Sequence, residues 1–141
     1  MGRLCAATSC AVIMDESQLC DFLAARPEAE LDYPFGPEAK VYKVKGKLFA
    51  IVSVRQQQLQ VNLKCDPQQA LMLRDIFTAV LPGYHMNKKH WNTVLMDNTL
   101  ARGEIERMIE HSYGLVVKSL PKSTRSALVA KHGEHILAAA Q

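Results

Sequence analysis

Residues 40–64 read KVYKVKGKLFAIVSVRQQQLQVNLK, and apolar and polar residues alternate here as they do in half-buried β-strands. Gly46 is the only good turn position in the first half of this stretch, so the pattern predicts a hairpin that turns at Gly46 and Lys47. The second strand of the hairpin is apolar at consecutive positions, which indicates a central strand whose outer face is partly covered. We therefore expect three antiparallel strands.

This register divides the side chains between two faces of a sheet, because successive residues of a strand point in opposite directions. The inward face is predicted to hold Tyr42, Val44, Phe49, Ile51, Leu59, Val61 and Leu63. The outward face is predicted to hold Lys43, Lys45, Gln60, Asn62 and Lys64.

Helical patterns flank the three strands. Residues 15–26 carry apolar side chains at helical spacing, whereas the prolines and the glycine of residues 28–39, EAELDYPFGPEA, rule out regular structure there. Asp66 followed by Pro67 is typical of a helix start, and Gln69 is predicted to complete a capping box. The apolar stripe of this helix continues to Val80, before Pro82 and Gly83 end it.

Two further strands and two helices are predicted after this point. The strands are residues 84–86 and 91–96, and the helices are a stripe from Ile105 to Leu120 and a segment near residues 121–132. The order is α-β-β-β-α-β-β-α-α. It predicts an α+β domain with helices on one side of an antiparallel sheet.

The composition, 48% hydrophobic and 22% charged, is typical of one globular domain, which we assign to residues 14–133. We expect residues 1–13 to be a disordered extension or to reflect an upstream start, and residues 134–141 to be a tail. No apolar run approaches the ~20 residues of a membrane span, so no membrane partner is expected. Four cysteines without C-x-x-C spacing indicate reduced thiols and a cytoplasmic location.

The net charge of +3 is unevenly divided along the chain. Residues 1–39 sum to −5 and residues 40–141 sum to +8. This asymmetry indicates an anionic partner for the basic part, and we expect the acidic part to lie away from that partner.

Sequence motifs give no support for catalysis. A glycine-rich phosphate loop and a G-x-S-x-G elbow are both absent from the sequence. The spacing of His85 and His90 matches no standard metal motif, and His111 is predicted to be solvated on a helix flank. We expect no enzymatic activity, no metal and no cofactor.

The strongest local signal is residues 87–92, NKKHWN. Lysines neutralise phosphates, amides bind base edges or phosphate oxygens, and an aromatic ring stacks on an unpaired base. The segment is equally typical of a soluble turn followed by a tryptophan that anchors the edge of the core. The candidate nucleic-acid contacts are Asn87, Lys88, Lys89, His90, Trp91 and Asn92.

A second candidate surface is the outward face of the three strands, with a basic residue at the turn and another at the end of the second strand. A positive sheet face of this kind can lie along nucleic acid. The alternative is a solvated face whose lysines discourage edge pairing. The cations concerned are Lys43, Lys45, Lys47, Arg55 and Lys64.

Four segments in order, PFGPEAKVYKVKGKLFA, NLKCDPQQALMLRD, PGYHMNKKHWNTVLMD and SYGLVVKSLPKSTR, resemble the MmcQ/YjbR family of small bacterial proteins. The resemblance covers about residues 14–130. It implies a two-layer α-β3-α-β2-α domain with a topology like that of type III secretion chaperones and frataxin. It also implies DNA binding through a "double wing" surface, in which Asn87, Lys88, His90 and Trp91 match the motif and Lys43 and Lys47 fall in the matching hairpin.

Three hypotheses follow. The leading one is a non-enzymatic DNA-binding protein that contacts phosphates with two basic projections, the Gly46 hairpin and the Lys88-Lys89 tip. The second is a chaperone-like protein-interaction module that uses its sheet or helix face to bind a protein partner or to form a weak homodimer. It predicts an exposed apolar patch on the sheet around Leu48, Ala50 and Val52. The third is a small-molecule pocket roofed by the PFGPEA loop, with His90 and Trp91 in its wall.

Overall fold

A computed structural model describes residues 14–138 of the chain. The helices of this part are α1 (Glu16–Ala24), α2 (Pro67–Ile76), α3 (Arg102–Lys118), α4 (Lys122–His132) and α5 (His135–Ala138). The strands are β1 (Ala29–Asp32), β2 (Lys40–Val44), β3 (Lys47–Arg55), β4 (Gln58–Lys64), β5 (Val80–Pro82) and β6 (Trp91–Leu95). The expectation for residues 1–13 lies outside the described residues.

The strands form one antiparallel sheet in the order β1-β2-β3-β4-β6-β5. The long helix α3 packs across β2, β3 and β4, and its apolar stripe shares one core with them. This arrangement confirms the predicted α+β class with an antiparallel sheet. Within residues 14–138, no helix combines the length and apolarity that a membrane span requires.

The start of α2 shows how a predicted cap is completed by a distant residue. Asp66 accepts hydrogen bonds from the backbone amides of Gln68 and Gln69, as expected of an N-cap. The backbone amide of Asp66 donates to Nε2 of His111 at 3.2 Å instead of to Gln69. The predictions of a Gln69 capping box and of a solvated His111 were therefore wrong, since His111 is only 6% exposed.

The β2–β3 hairpin turns one residue earlier than predicted. Lys45 and Gly46 both have positive φ, 51° and 83°, as a two-residue hairpin turn of this type requires. The register is also irregular between Tyr42 and Lys43, so that Tyr42 pairs with Ala50 and Val41 with Ile51. This irregularity overturns the predicted faces in part, because Ile51 no longer shares a face with Tyr42.

Three sequence-based assignments of secondary structure were wrong. Residues 28–39 were expected to lack regular structure, but Ala29–Asp32 pair with Val44–Val41 as the edge strand β1. Residues 84–86 do not form a strand, and His85 lies in the left-handed region at φ 60°. Val80 belongs to β5, not to α2, because the chain is already extended at Phe77 and Val80 pairs with Val94.

A buried hydroxyl and an aromatic pair join α3 to the sheet. Ser112 donates to the carbonyl of Phe49 at 2.6 Å and accepts from the amide of Lys64 at 2.9 Å. The rings of Phe49 and Tyr113 meet edge to face at 5.3 Å. At the other end of the core, Ile136 of α5 is 6% exposed, so the core extends past residue 133.

Candidate nucleic-acid interface

The lysines of the β2–β3 hairpin are held by neighbouring groups. Lys43 Nζ lies 3.0 Å from Asp32, and Lys45 Nζ lies 2.7 Å from Glu28. Lys47 Nζ donates to the carbonyl of Ser119 at 3.2 Å, at the C-terminal end of α3. Lys43 and Lys45 are therefore neutralised by carboxylates, whereas Lys47 keeps its charge and is held by a carbonyl.

These ion pairs overturn the expected position of the acidic segment. It was predicted to lie away from the basic part, but strand β1 brings Asp32 and Glu28 directly beside β2 and its turn. The hydrogen bond from Lys45, followed by that from His132, lowers the pKa of Glu28 to about 2. Lys43 likewise lowers the pKa of Asp32.

The sheet face opposite the helices is covered instead of solvated. Gln60 and Asn62 point away from the core as predicted, yet they are only 3% and 6% exposed. The reason is the segment between β5 and β6, in which Tyr84 donates its amide to Thr93 and accepts from Asn62 at 3.5 Å. This side of the sheet is therefore a polar layer beneath a loop.

The loop and the sheet enclose a groove, which we call the Tyr84 groove, with a volume of about 440 Å³. Its lining includes Phe35, Arg55, Gln60, Tyr84, His85 and Met86. Phe35 comes from the PFGPEA loop, as the pocket hypothesis expected, but His90 and Trp91 are not part of the lining. The guanidinium of Arg55 lies 3.8 Å from the centre of the Tyr84 ring, a cation–π contact.

The predicted tip divides into exposed and structural residues. Asn87, Lys88 and Lys89 are exposed, His90 and Trp91 are half-buried, and Asn92 is 3% exposed. Asn92 belongs to the helix-facing side of the sheet, where its Oδ1 accepts from Nε of Arg74 at 2.7 Å. The structure therefore does not bring Asn92 to the surface with the other five.

Arg74 is a residue that sequence reasoning missed. Besides Asn92, its guanidinium donates to the carbonyls of Lys88 and Trp91, and it thereby fixes both ends of the tip to α2. Tyr84 and Phe35 were also missed as candidate contacts, although they are 39% and 70% exposed. Exposed aromatic residues in loops could have indicated them.

The charges around the Tyr84 groove have one sign. Residues 39–65 and 76–96 contain no aspartate or glutamate. Lys64, Lys88 and Lys89 have no ion-pair partner among residues 14–138, and neither has Arg55. Lys47 at the hairpin also lacks an ion-pair partner among these residues. Lys64 lines the groove between α2 and α3, so Arg55 is the unpaired cation that lines the Tyr84 groove itself.

A second and larger groove lies between α2 and α3, with a volume of about 770 Å³. Leu71, Met72 and Ile76 of α2 are 53–65% exposed beside or within it. The patch predicted around Leu48, Ala50 and Val52 is absent, because Ala50 and Val52 are 0% and 2% exposed and belong to the core. Burial raises the pKa of Cys65, which lines this groove, to about 11.

Comparison with known proteins gives consistent matches. A family model described as YjbR matches residues 24–115. The uncharacterized protein YjbR of Escherichia coli K12 is 35% identical over 82% of this chain and 98% of its own length. The protein YbdF of E. coli O157:H7 is 42% identical over 68% of this chain and 79% of its own length.

Solved structures agree with these sequence matches. The Deinococcus radiodurans protein DR2400, with a DUF419 domain, superposes with a TM-score of 0.74 at 33% identity, over 79% of this chain and 86% of that chain. A Pseudomonas syringae protein superposes with a TM-score of 0.65 at 28% identity, over 72% of this chain and 98% of that chain.

Proposed function

This chain belongs to the YjbR family, and we propose that it is a non-enzymatic cytoplasmic DNA-binding protein that contacts phosphates with the cations of the β5–β6 loop. The observation that carries the proposal is the pair Lys88 and Lys89. Both are exposed at the loop tip, and neither has an ion-pair partner among the described residues. Lys88 Nζ donates to the carbonyl of Gly83 at 3.3 Å, a contact that leaves its charge uncompensated. Free surface cations are the groups that neutralise phosphates most cheaply, because no existing ion pair has to break.

The neighbouring groups support the same surface. Arg74 fixes the loop backbone, so the two lysines extend from an anchored segment. Arg55 and Tyr84 add a cation and an exposed aromatic ring on the same side of the sheet. The hairpin has a smaller role in this proposal than the sequence suggested, because Lys43 and Lys45 already pair with carboxylates.

A salt titration of DNA binding, followed by fluorescence anisotropy, tests the proposal. Binding should weaken linearly on a log–log scale, with a slope of about −0.9 per phosphate neutralised. Lys88→Ala combined with Lys89→Ala should make the slope shallower by nearly two. Lys43→Ala combined with Lys45→Ala is the matched control and should change it much less.

Two results would make us abandon the proposal. One is the absence of binding to any DNA at low salt. The other is a salt slope that the Lys88 and Lys89 substitutions leave unchanged, since the anionic ligand would then be held by other residues.

The exposed apolar residues of α2 favour a second candidate function, association with another copy of the chain. Leu71, Met72 and Ile76 lie together on one short helix, which is a common property of interaction surfaces. Sedimentation velocity should then show a dimer that Met72→Glu combined with Ile76→Glu dissociates. A monomer at all concentrations would contradict this function without affecting DNA binding.

A further inference from the structure

Two polar groups in the wall of the Tyr84 groove have no hydrogen-bond partner among the described residues. Gln60 is 3% exposed, and no group of residues 14–138 bonds its carboxamide. The Nε of Arg55 is buried and also without a partner. Both residues line the groove. The Arg55 Nε is the buried unsatisfied atom of this cavity, and the carboxamide of Gln60 remains open to solvent within it. Buried polar groups are nearly always satisfied in proteins, so an unsatisfied Nε beside an open carboxamide indicates a ligand that bonds both groups.

The side-chain amide of Asn62 is hydrogen-bonded to protein groups, unlike that of Gln60. Asn62 lies two residues after Gln60 on the same face of β4, and its Oδ1 accepts from the hydroxyl of Thr93 at 2.6 Å. Its Nδ2 donates to the carbonyl of Tyr84. Asn62 therefore holds the roof of the groove in place, whereas Gln60 has donor and acceptor atoms left for another molecule.

The walls of the groove fit a flat ring. Phe35 and Tyr84 are exposed aromatic residues that both line it, and Ile51 and Met86 add apolar contact area. The volume of about 440 Å³ lies within the range of roughly 300–1,000 Å³ that is usual for small-molecule sites. No carboxylate lines the groove, which disfavours a cationic ligand.

We propose that the Tyr84 groove binds one unpaired base of single-stranded DNA. The base stacks against Phe35, beside the Tyr84 ring that Arg55 covers, and its edge exchanges hydrogen bonds with the carboxamide of Gln60, while Arg55 donates from Nε. An amide and a base edge each present donors and acceptors side by side. Because Gln60 is only 3% exposed, a base must leave its pair to reach it.

This inference rests on the proposed DNA binding, since the strand is held by Lys88 and Lys89 while one base enters the groove. Preference for single-stranded over duplex DNA follows, because a paired base cannot present its edge to Gln60. A free nucleotide offers the same base without the neighbouring phosphates, so the two ligands can be distinguished by experiment.

The experiment uses the full chain and a short single-stranded oligonucleotide that contains 2-aminopurine, whose fluorescence falls when the base stacks on an aromatic ring. Anisotropy of the same strand, of its duplex and of a strand with abasic positions gives the three affinities. The variants are Phe35→Ala and Gln60→Leu. Tyr33→Ala is the matched control, because Tyr33 is an exposed aromatic residue, 45% accessible, that does not line the groove.

We expect the single strand to bind more tightly than the duplex and the abasic strand, with quenching of 2-aminopurine. Phe35→Ala should weaken single-strand binding by about fivefold or more and should leave duplex binding unchanged. Gln60→Leu should reduce the preference for the intact strand over the abasic strand, and Tyr33→Ala should do neither. Because Phe35 is 70% exposed, the Phe35→Ala variant should fold. It therefore still tests the inference if Gln60→Leu does not fold.

Three results would overturn the inference. If salt-dependent binding were equal for single-stranded, duplex and abasic DNA, without quenching, the proposed function would stand but the base site would be wrong. If free dAMP competed as effectively as the strand, the ligand of the groove would be a free nucleotide and not a base within a strand. Absence of binding to every DNA would overturn the proposed function and the inference together.

Discussion

Glu28 Oε1 lies 2.7 Å from Nζ of Lys45, and the other oxygen of the same carboxylate lies 2.8 Å from Nε2 of His132. One acid thus joins the turn of the β2–β3 hairpin to the last turn of α4. Glu28 itself has a positive φ of 59°, which turns the chain into β1. A residue of the acidic N-terminal segment therefore both neutralises a hairpin cation and connects three elements of the fold.

Glu28 makes stability depend on pH in a definite direction. Because the pKa of Glu28 is lowered from 4.5 to about 2 in the folded chain, the stabilisation is present above pH 4.5 and is lost as the pH falls through 2. Glu28→Gln should lower the urea midpoint at neutral pH, and its difference from the wild type should vanish as the acid protonates. Urea unfolding at several pH values measures this, and a difference independent of pH would contradict it.

Ser112 should be important for stability although it lies far from the proposed interface. Its hydroxyl is 0% exposed and satisfies both the carbonyl of Phe49 and the amide of Lys64. Ser112→Ala should destabilise the chain by about 1–3 kcal/mol, because two buried backbone groups lose a partner. Ser126→Ala on the exposed side of α4 is the control and should stay within about 0.5 kcal/mol in urea unfolding.

Two glycines should respond in opposite ways to alanine. A Cβ on Gly83 would meet the Cβ of Trp91 at 2.8 Å and its carbonyl at 2.9 Å, whereas a Cβ on Gly103 meets nothing within 4 Å. Gly83→Ala should cost about 1–3 kcal/mol by overpacking and should weaken DNA binding by shifting the loop. Gly103→Ala in α3 should stabilise the chain by about 0.5–1 kcal/mol. Equal thermal midpoints for the two variants would refute this.

Cys65 should be an unreactive thiol at neutral pH. It is 4% exposed, and burial, with a smaller contribution from Asp66, raises its pKa to about 11. In a variant with the other three cysteines changed to serine, iodoacetamide labelling should be slow and should accelerate about tenfold per pH unit. The matching variant that retains only Cys20, a half-exposed thiol, is the control. A Cys65 labelling rate that levels off at or below the ordinary pKa of 9.0 would contradict the expectation.

The sequence predicted best where a pattern is local. Alternation and helical spacing identified β3, β4, β6, α3 and α4, because the period of a pattern depends only on neighbouring residues. Asp66 was identified as a cap for the same reason. The four segments that resemble the MmcQ/YjbR family were sufficient to predict the family, which the comparisons confirm.

The sequence-based predictions were wrong where the hydrogen-bonding partner of a residue lies far away in the chain. Residues 28–32 alternate only briefly, as E-A-E-L-D, before two prolines and a glycine. Strand β1 forms there because the free edge of β2 offers its backbone groups. His111 reaches Asp66 across 45 positions, so no spacing rule could reveal it.

The sequence alone determined the α+β class, the family and the presence of a basic loop tip at Lys88 and Lys89. Only the tertiary structure decided which cations are free and which polar side chains are buried. The pairing of β1 with β2 brings Glu28 and Asp32 to the hairpin lysines, and the loop after β5 covers Gln60 and Asn62. Charge neutralisation and burial depend on distances in space, and residues far apart in the chain set those distances.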